Sequence, residues 1–74
     1  MKKIYKMLDL DCANCAAKME TAINKIEGVN AASVNFLAQK LTIDLDETRI
    51  DEIMKQVTKA VHKVDPNCDV VQKN

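Results

Sequence analysis

Hydrophobic positions recur along this chain with two different periods, and the switches between them mark out its elements. In KKIYKML, residues 2 to 8, Tyr5 and Met7 fall on one side of an extended run and Ile4 and Leu8 on the other, so a short strand is predicted there. From about Ala13 to Ile26 the spacing lengthens. Ala16, Met19, Ala22, Ile23 and Ile26 stand three and four apart, the stripe of an amphipathic helix, with Gly28 as its stop. Period two then returns: Ala32, Val34 and Phe36 alternate with polar residues, as do Leu41, Ile43 and Leu45, which predicts two strands joined by a short turn near Leu37 to Gln39. Ile50, Ile53, Met54, Val57, Ala60, Val61 and Val64 form a second helical stripe. Thr48 is its candidate cap, Asp51 and Glu52 occupy the first turn where the helix dipole favours them, and Pro66 ends it. The closing CDVVQ reads as a last short strand.

The order β-α-β-β-α-β predicts the α+β class and the ferredoxin-like, split βαβ arrangement, in which two helices cover one face of a four-stranded antiparallel sheet. Seventy-four residues make one domain, 1–74, with a thin core. In that topology the last strand lies antiparallel beside the first. The start of the last strand then neighbours the end of the first, and Cys68 is expected close to Cys12 and Cys15.

Composition removes several classes of function. Eleven basic residues balance 11 acidic ones and the lysines are scattered among acids, so neither a nucleic-acid nor an anionic-lipid footprint is present. The start, MKKIYKMLDLD, begins like a signal peptide but meets Asp9 and Asp11 before an apolar run accumulates, and no stretch has transmembrane length. A soluble, cytoplasmic monomer that does not itself insert into a membrane is expected. There is no Ser/His/Asp set, no pair of catalytic carboxylates and no Gly-rich phosphate loop, which makes this a binding protein and not an enzyme; any ATP hydrolysis would belong to a larger polypeptide. Three cysteines are an odd number, unlike the even framework of a small secreted domain, and fit a reducing compartment.

In such a compartment Cys12-Ala-Asn-Cys15 points to metal or redox chemistry. Cys12 stands where the strand gives way to a loop and Cys15 in the first turn of the helix, whose unpaired N–H groups and positive dipole end stabilise anionic sulfur. Both thiols are therefore expected to ionise easily, with the small Ala13, Ala16 and Ala17 leaving the approach open. A redox couple of the thioredoxin type is the competing reading, although no Trp or Pro flanks the pair. A structural zinc site needs four protein ligands, commonly from two such pairs, and only one is present. Two or three donors on a surface loop leave the shell incomplete, as an ion that enters and leaves by ligand exchange requires.

The motif DLDCANCAAKME, the phrase EGVNAASVNF and the element order resemble the heavy-metal-associated domain, over essentially the whole chain. That family includes small copper chaperones and the N-terminal metal-binding domains of metal-exporting P-type ATPases, with a shared loop G-M-x-C-x-x-C. Asp9 and Leu10 stand here where the family usually has Gly and Met. The D-C-x-x-C version is similar to the branch that exports zinc, cadmium and lead. The resemblance implies Cys12, Cys15 and Asp11 as ligands of Zn²⁺, Cd²⁺ or Pb²⁺, with Cu⁺ less favoured. It implies the other domains of a transporting ATPase, or a metal-donor protein, as partners; a free-standing metallochaperone is the alternative.

Charge supports the divalent reading. Two thiolates and a carboxylate leave one net negative charge around a divalent ion but two around Cu(I), and a carboxylate oxygen gains more from the harder cation. Asp11 could instead cap the helix. Cys68 is either a third sulfur, favouring large soft ions, or a small buried apolar residue. His62, near the end of the second helix, could approach the loop as a ligand but is expected on the solvent side, where it complements the helix C-terminus, and Met7, Met19 and Met54 are expected in the core. Leu10 is expected to pack beneath the loop.

Overall fold

The computed structural model describes residues 1–72, apart from the side chain of Gln72. The domain 1–74 expected from sequence thus extends two residues beyond what is described. Strand β1 (Lys2–Leu8) leads to helix α1 (Ala13–Asn24), β2 (Val29–Asn35) and β3 (Lys40–Leu45) follow, and α2 (Ile50–Val64) precedes β4 (Asp69–Gln72). All strand pairings are antiparallel and the sheet order is β2-β3-β1-β4, the predicted split βαβ topology.

Alternation decides which face of the sheet the helices cover. Tyr5 and Met7 on β1 and Leu41, Ile43 and Leu45 on β3 are buried, and they meet Ala16, Met19 and Ile23 from α1 and Ile53, Val57 and Val61 from α2. The register pairs Tyr5 with Leu41 and sets Val34 across from Leu41 on the other side, so one row of apolar side chains crosses three strands. Ile4 and Leu8, one residue out of phase, remain exposed on the opposite face. Met54 packs at the edge of the core while Met7 and Met19 lie within it, as their places on the stripes predict.

Two element ends differ from the sequence-based expectation. Helix α1 closes at Asn24, with the Lys25 N–H bonded to the Ala22 carbonyl, so Ile26 lies past its end and Gly28 belongs to the following turn. Gly28 is needed there for its φ of 96° and because a Cβ at that position would come within 2.7 Å of Ile53 Cδ1. Thr48 does not cap α2. A short 3₁₀ turn, Glu47–Arg49, precedes the helix, and Asp46 caps that turn by accepting from the Thr48 N–H at 3.0 Å and the Thr48 hydroxyl at 2.8 Å. The two-carbon reach of Asp46 to an N–H two residues on is the local geometry Asp favours, and it displaces the threonine.

The edge strand β2 is covered from an unexpected direction. Asn24 bonds both polar backbone groups of Ala32, at 2.8 and 3.0 Å, and Glu20 accepts from the Val34 N–H at 3.0 Å. Polar side chains of α1 thus occupy backbone groups that an open edge would offer to another chain.

Candidate metal centre

The end of the molecule at which β1 stops carries the candidate donors. Leu8 pairs with Asp69, so the start of β4 lies beside the end of β1, as the topology requires. Between Leu8 and the helix the chain turns sharply. Asp9 takes φ 61°, in the left-handed region, and the next side chain, Leu10, drives into the core to 3% exposure. Leu10 is the floor of the loop, as expected from its sequence.

Cys12 is the N-cap residue of α1, with extended φ −138° and ψ 121°, and its carbonyl accepts the first helical bond from the Ala16 N–H at 3.0 Å. Its neutral thiol makes no capping hydrogen bond, since sulfur is a weak acceptor until it ionises. The thiolate is a better one. The Cys15 backbone N–H, and after it the Cys15 thiol, lower the Cys12 pKa, with the Asn14 N–H adding to them and the Asp11 carboxylate opposing. Cys15 responds in the opposite sense: its proton is held against the Cys12 sulfur, burial adds to this, and its pKa rises. The expectation that both thiols ionise easily is therefore corrected to one. Two sulfurs that share a proton cannot both benefit from the same N–H groups, because the first negative charge opposes the second. Iodoacetamide near neutral pH is accordingly expected to modify Cys12 ahead of Cys15, with peptide mass analysis after brief exposure as the check; equal rates would contradict the shared proton.

Both cysteines of the pair are partly exposed, Ala13 and Ala17 are exposed beside them, and Ala16 is buried in the core instead of lining the approach. Asp11 is exposed and lies one residue outside the helix, since the cap position is taken by Cys12. Cys68 sits at the same end but inside the core, with no exposed surface. Burial, together with the charges of Asp65, Asp69, Asp9 and Asp11, pushes its thiol up to about 11. Among the described residues no group of three or more His, Cys, Asp or Glu side chains is assembled to hold a metal ion, so the expected meeting of all three cysteines is not preformed. Cys68 precedes β4 and shares the buried core with Leu10, the floor of the loop, while Cys15 packs against that core from its partly exposed side. His62 is exposed and sets its Nε2 3.1 Å from Asp69 Oδ1, tying α2 to β4.

One residue at this site has no signal in the sequence pattern. Gln39, in the turn between β2 and β3, accepts from the Leu10 N–H at 3.2 Å through Oε1 and donates through Nε2 to the Leu10 carbonyl and, at 2.8 Å, to the Phe36 carbonyl. A glutamine in a turn reads as a solvated loop residue; only the chain path brings it to the loop.

An α+β sandwich with a partly exposed pair of cysteines at a strand-to-helix junction defines a metal-binding module. The chain belongs to the heavy-metal-associated domain family, whose sequence model matches residues 4–67. It is 38% identical over 74 residues to the cadmium, zinc and cobalt-transporting ATPase of Bacillus subtilis strain 168, a match that covers 100% of this chain and 10% of that protein. The chain thus spans about a tenth of the length of that curated relative. Among solved structures, the N-terminal domain of a potential copper-translocating P-type ATPase from Bacillus subtilis, in the Cu(I)-loaded state, is similar with a TM-score of 0.77 and 29% identity, covering 99% of this chain and 86% of that one. The CopZ metallochaperone is similar with a TM-score of 0.73 and 27% identity, covering 96% and 100%. Among the described residues no helix is long and apolar enough to cross a membrane.

Proposed function

We propose that this domain takes up a soft or borderline divalent ion, Zn²⁺, Cd²⁺ or Pb²⁺, on Cys12, Cys15 and Asp11 and passes it on by ligand exchange, as the N-terminal metal-binding domain of an exporting P-type ATPase. The observation that carries this reading is the cysteine pair itself, partly exposed at the mouth of α1, with the Cys12 thiol made easier to ionise by the Cys15 N–H. A divalent ion displaces the proton the two sulfurs share, and the exposed carboxylate of Asp11 supplies a harder donor and the third negative charge. The shell stays open toward solvent, so a partner's thiolate can add before one of the domain's sulfurs leaves. The domain does no chemistry on the ion beyond this exchange and is not itself an enzyme. Resemblance along the whole chain to a cadmium, zinc and cobalt-transporting ATPase supports the divalent choice.

Competition titrations under reductant with Zn²⁺, Cd²⁺, Pb²⁺ and Cu(I) test the reading. Asp11→Ala is expected to lower the ratio of Zn²⁺ to Cu(I) affinity about tenfold, equivalent to about 1.4 kcal/mol; an unchanged ratio would remove Asp11 from the donor set. Cys68 stays outside the shell on this reading, because its side chain is enclosed in the core with no exposed surface from which to meet an ion on the loop. Cys68→Ser should therefore leave the sulfur-to-Cd²⁺ charge-transfer absorbance per bound ion as it is in the parent chain, whereas a marked loss would restore Cys68 as a third sulfur. A second reading, a free metallochaperone for Cu(I), is favoured by the likeness to the CopZ metallochaperone over the whole of that chain. It predicts the reverse order of affinities and no effect of Asp11→Ala. A thiol–disulfide oxidoreductase would instead show turnover with a dithiol substrate and no retention of metal under reductant.

A further inference from the structure

We propose that Gln39 is a positioning residue for the metal loop, an inference that rests on Cys12 and Cys15 being the ion's donors. Gln39 lies 29 residues from Leu10 in the chain, yet its side-chain amide holds Leu10 by both backbone polar groups, accepting from the N–H and donating to the carbonyl. Its own carbonyl accepts from the Met7 N–H at 2.9 Å. One residue of the β2–β3 turn thereby grips the departing end of β1 on both sides of the bend at Asp9.

The need for such a grip follows from the local backbone. Asp9 to Asp11 belong to neither β1 nor α1, and Asp9 turns the chain through the left-handed region. Leu10 is drawn inward by its side chain, which takes its N–H and carbonyl to a part-buried place where water is a poor substitute partner. The amide of Gln39 satisfies both, and Leu10 is two residues from Cys12. A loop pinned at Leu10 holds the first sulfur over the N–H groups of α1; an unpinned one lets it wander, and ion affinity then bears the entropy of ordering it.

The conformation of Gln39 is a second observation. It takes φ 55°, where L side chains are rare and glycine is at ease. Within the turn Asn35 Oδ1 accepts from the Ala38 N–H at 3.0 Å and the Gln39 amide donates to the Phe36 carbonyl at 2.8 Å, while its Oε1 is left to accept from the distant Leu10 N–H. A residue present only to reverse the chain would be glycine or asparagine. Glutamine adds reach, and two of its three side-chain bonds end on Leu10.

Gln39→Ala and Gln39→Gly separate the clamp from stability, because glycine relieves the positive φ and alanine does not. Both variants should release Cd²⁺ to excess chelator about tenfold faster than the parent chain, the lower end of what loss of an outer-shell partner does to metal affinity. Gln39→Gly should melt above Gln39→Ala. Without metal, amide hydrogen exchange at Leu10 to Cys12 should quicken in both, while Met19 to Ile23 keep their protection. Parent-like release from both variants would overturn the proposal, as would release rates that simply follow the melting order. If Gln39→Ala fails to fold, Gln39→Gly carries the same comparison of release with loop exchange. Should the parent chain itself take up no Cd²⁺, the cysteine reading falls, and exchange at Leu10 to Cys12 in metal-free Gln39→Gly still decides whether the clamp exists.

Discussion

With Cys12 and Cys15 both changed to serine, the domain should fold as before and lose uptake of Zn²⁺ and Cd²⁺ altogether. Both residues are only partly buried, Cys15 packing against the edge of the core, so replacing S–H by the near-isosteric O–H removes little packing. What it removes is the only closely paired set of soft donors among the described residues, and hydroxyls do not ionise at neutral pH to replace them. Affinity should fall by more than the roughly 100-fold that marks the loss of an outer-shell partner. The clearest readout is linkage to stability. Free ion at 100 times its Kd stabilises the parent fold by about 2.7 kcal/mol, which for a domain of this size raises the melting temperature by roughly 10–20 °C. The double serine variant should show no rise at the same concentration, with its metal-free melting temperature close to the parent's. An equal rise in both proteins would place the ion elsewhere.

The second large effect concerns the core on which that site stands. Ile43 has no exposed surface and sits on β3, which pairs with β1 on one side and β2 on the other. Ile43→Ala removes three carbons from a place with helices above and strands on both flanks, where little can move to fill the gap. A loss of about 2–5 kcal/mol is expected. A chain of this length has a total stability of about 4–11 kcal/mol at typical values per residue, so the variant should be partly unfolded at the weak end of that range. Urea denaturation followed by circular dichroism measures it: the midpoint should drop with the slope unchanged. Saturating Cd²⁺ should restore part of the loss, because ion binding and folding are linked through the same native state, and the cysteine loop follows the end of β1 while Ile43 pairs with Lys3 near its start. A midpoint unchanged from the parent would mean that the strand carries less of the core than its burial indicates.

Much of this architecture could be read from residue periods. Tyr5 and Met7 against Ile4 and Leu8 told one face of β1 from the other, and the stripe from Ile50 to Val64 defined α2 along its whole length. Such patterns are legible because burial selects side chains at the spacing the backbone imposes. Element ends were less legible. Thr48 and Asp46 are both good caps, and which one closes the turn depends on where the chain leaves β3, a matter of register that the pattern of apolar residues does not encode. For the site, the cysteine spacing and the position of Leu10 could be seen, whereas the unequal acidity of the two thiols could not, since it arises from which sulfur faces the Cys15 N–H.

The sequence by itself determined the element order, the sandwich topology and the location of the paired sulfurs at a strand-to-helix junction, because each follows from local spacing along the chain. Tertiary structure alone decided that Cys68 turns into the core, that Gln39 reaches across to hold Leu10, and that the polar side chains of Asn24 and Glu20 cover the edge of β2. Each of these depends on which side of a strand or turn faces a distant segment, and that facing is settled only when the sheet and helices pack and every buried backbone group must find a partner.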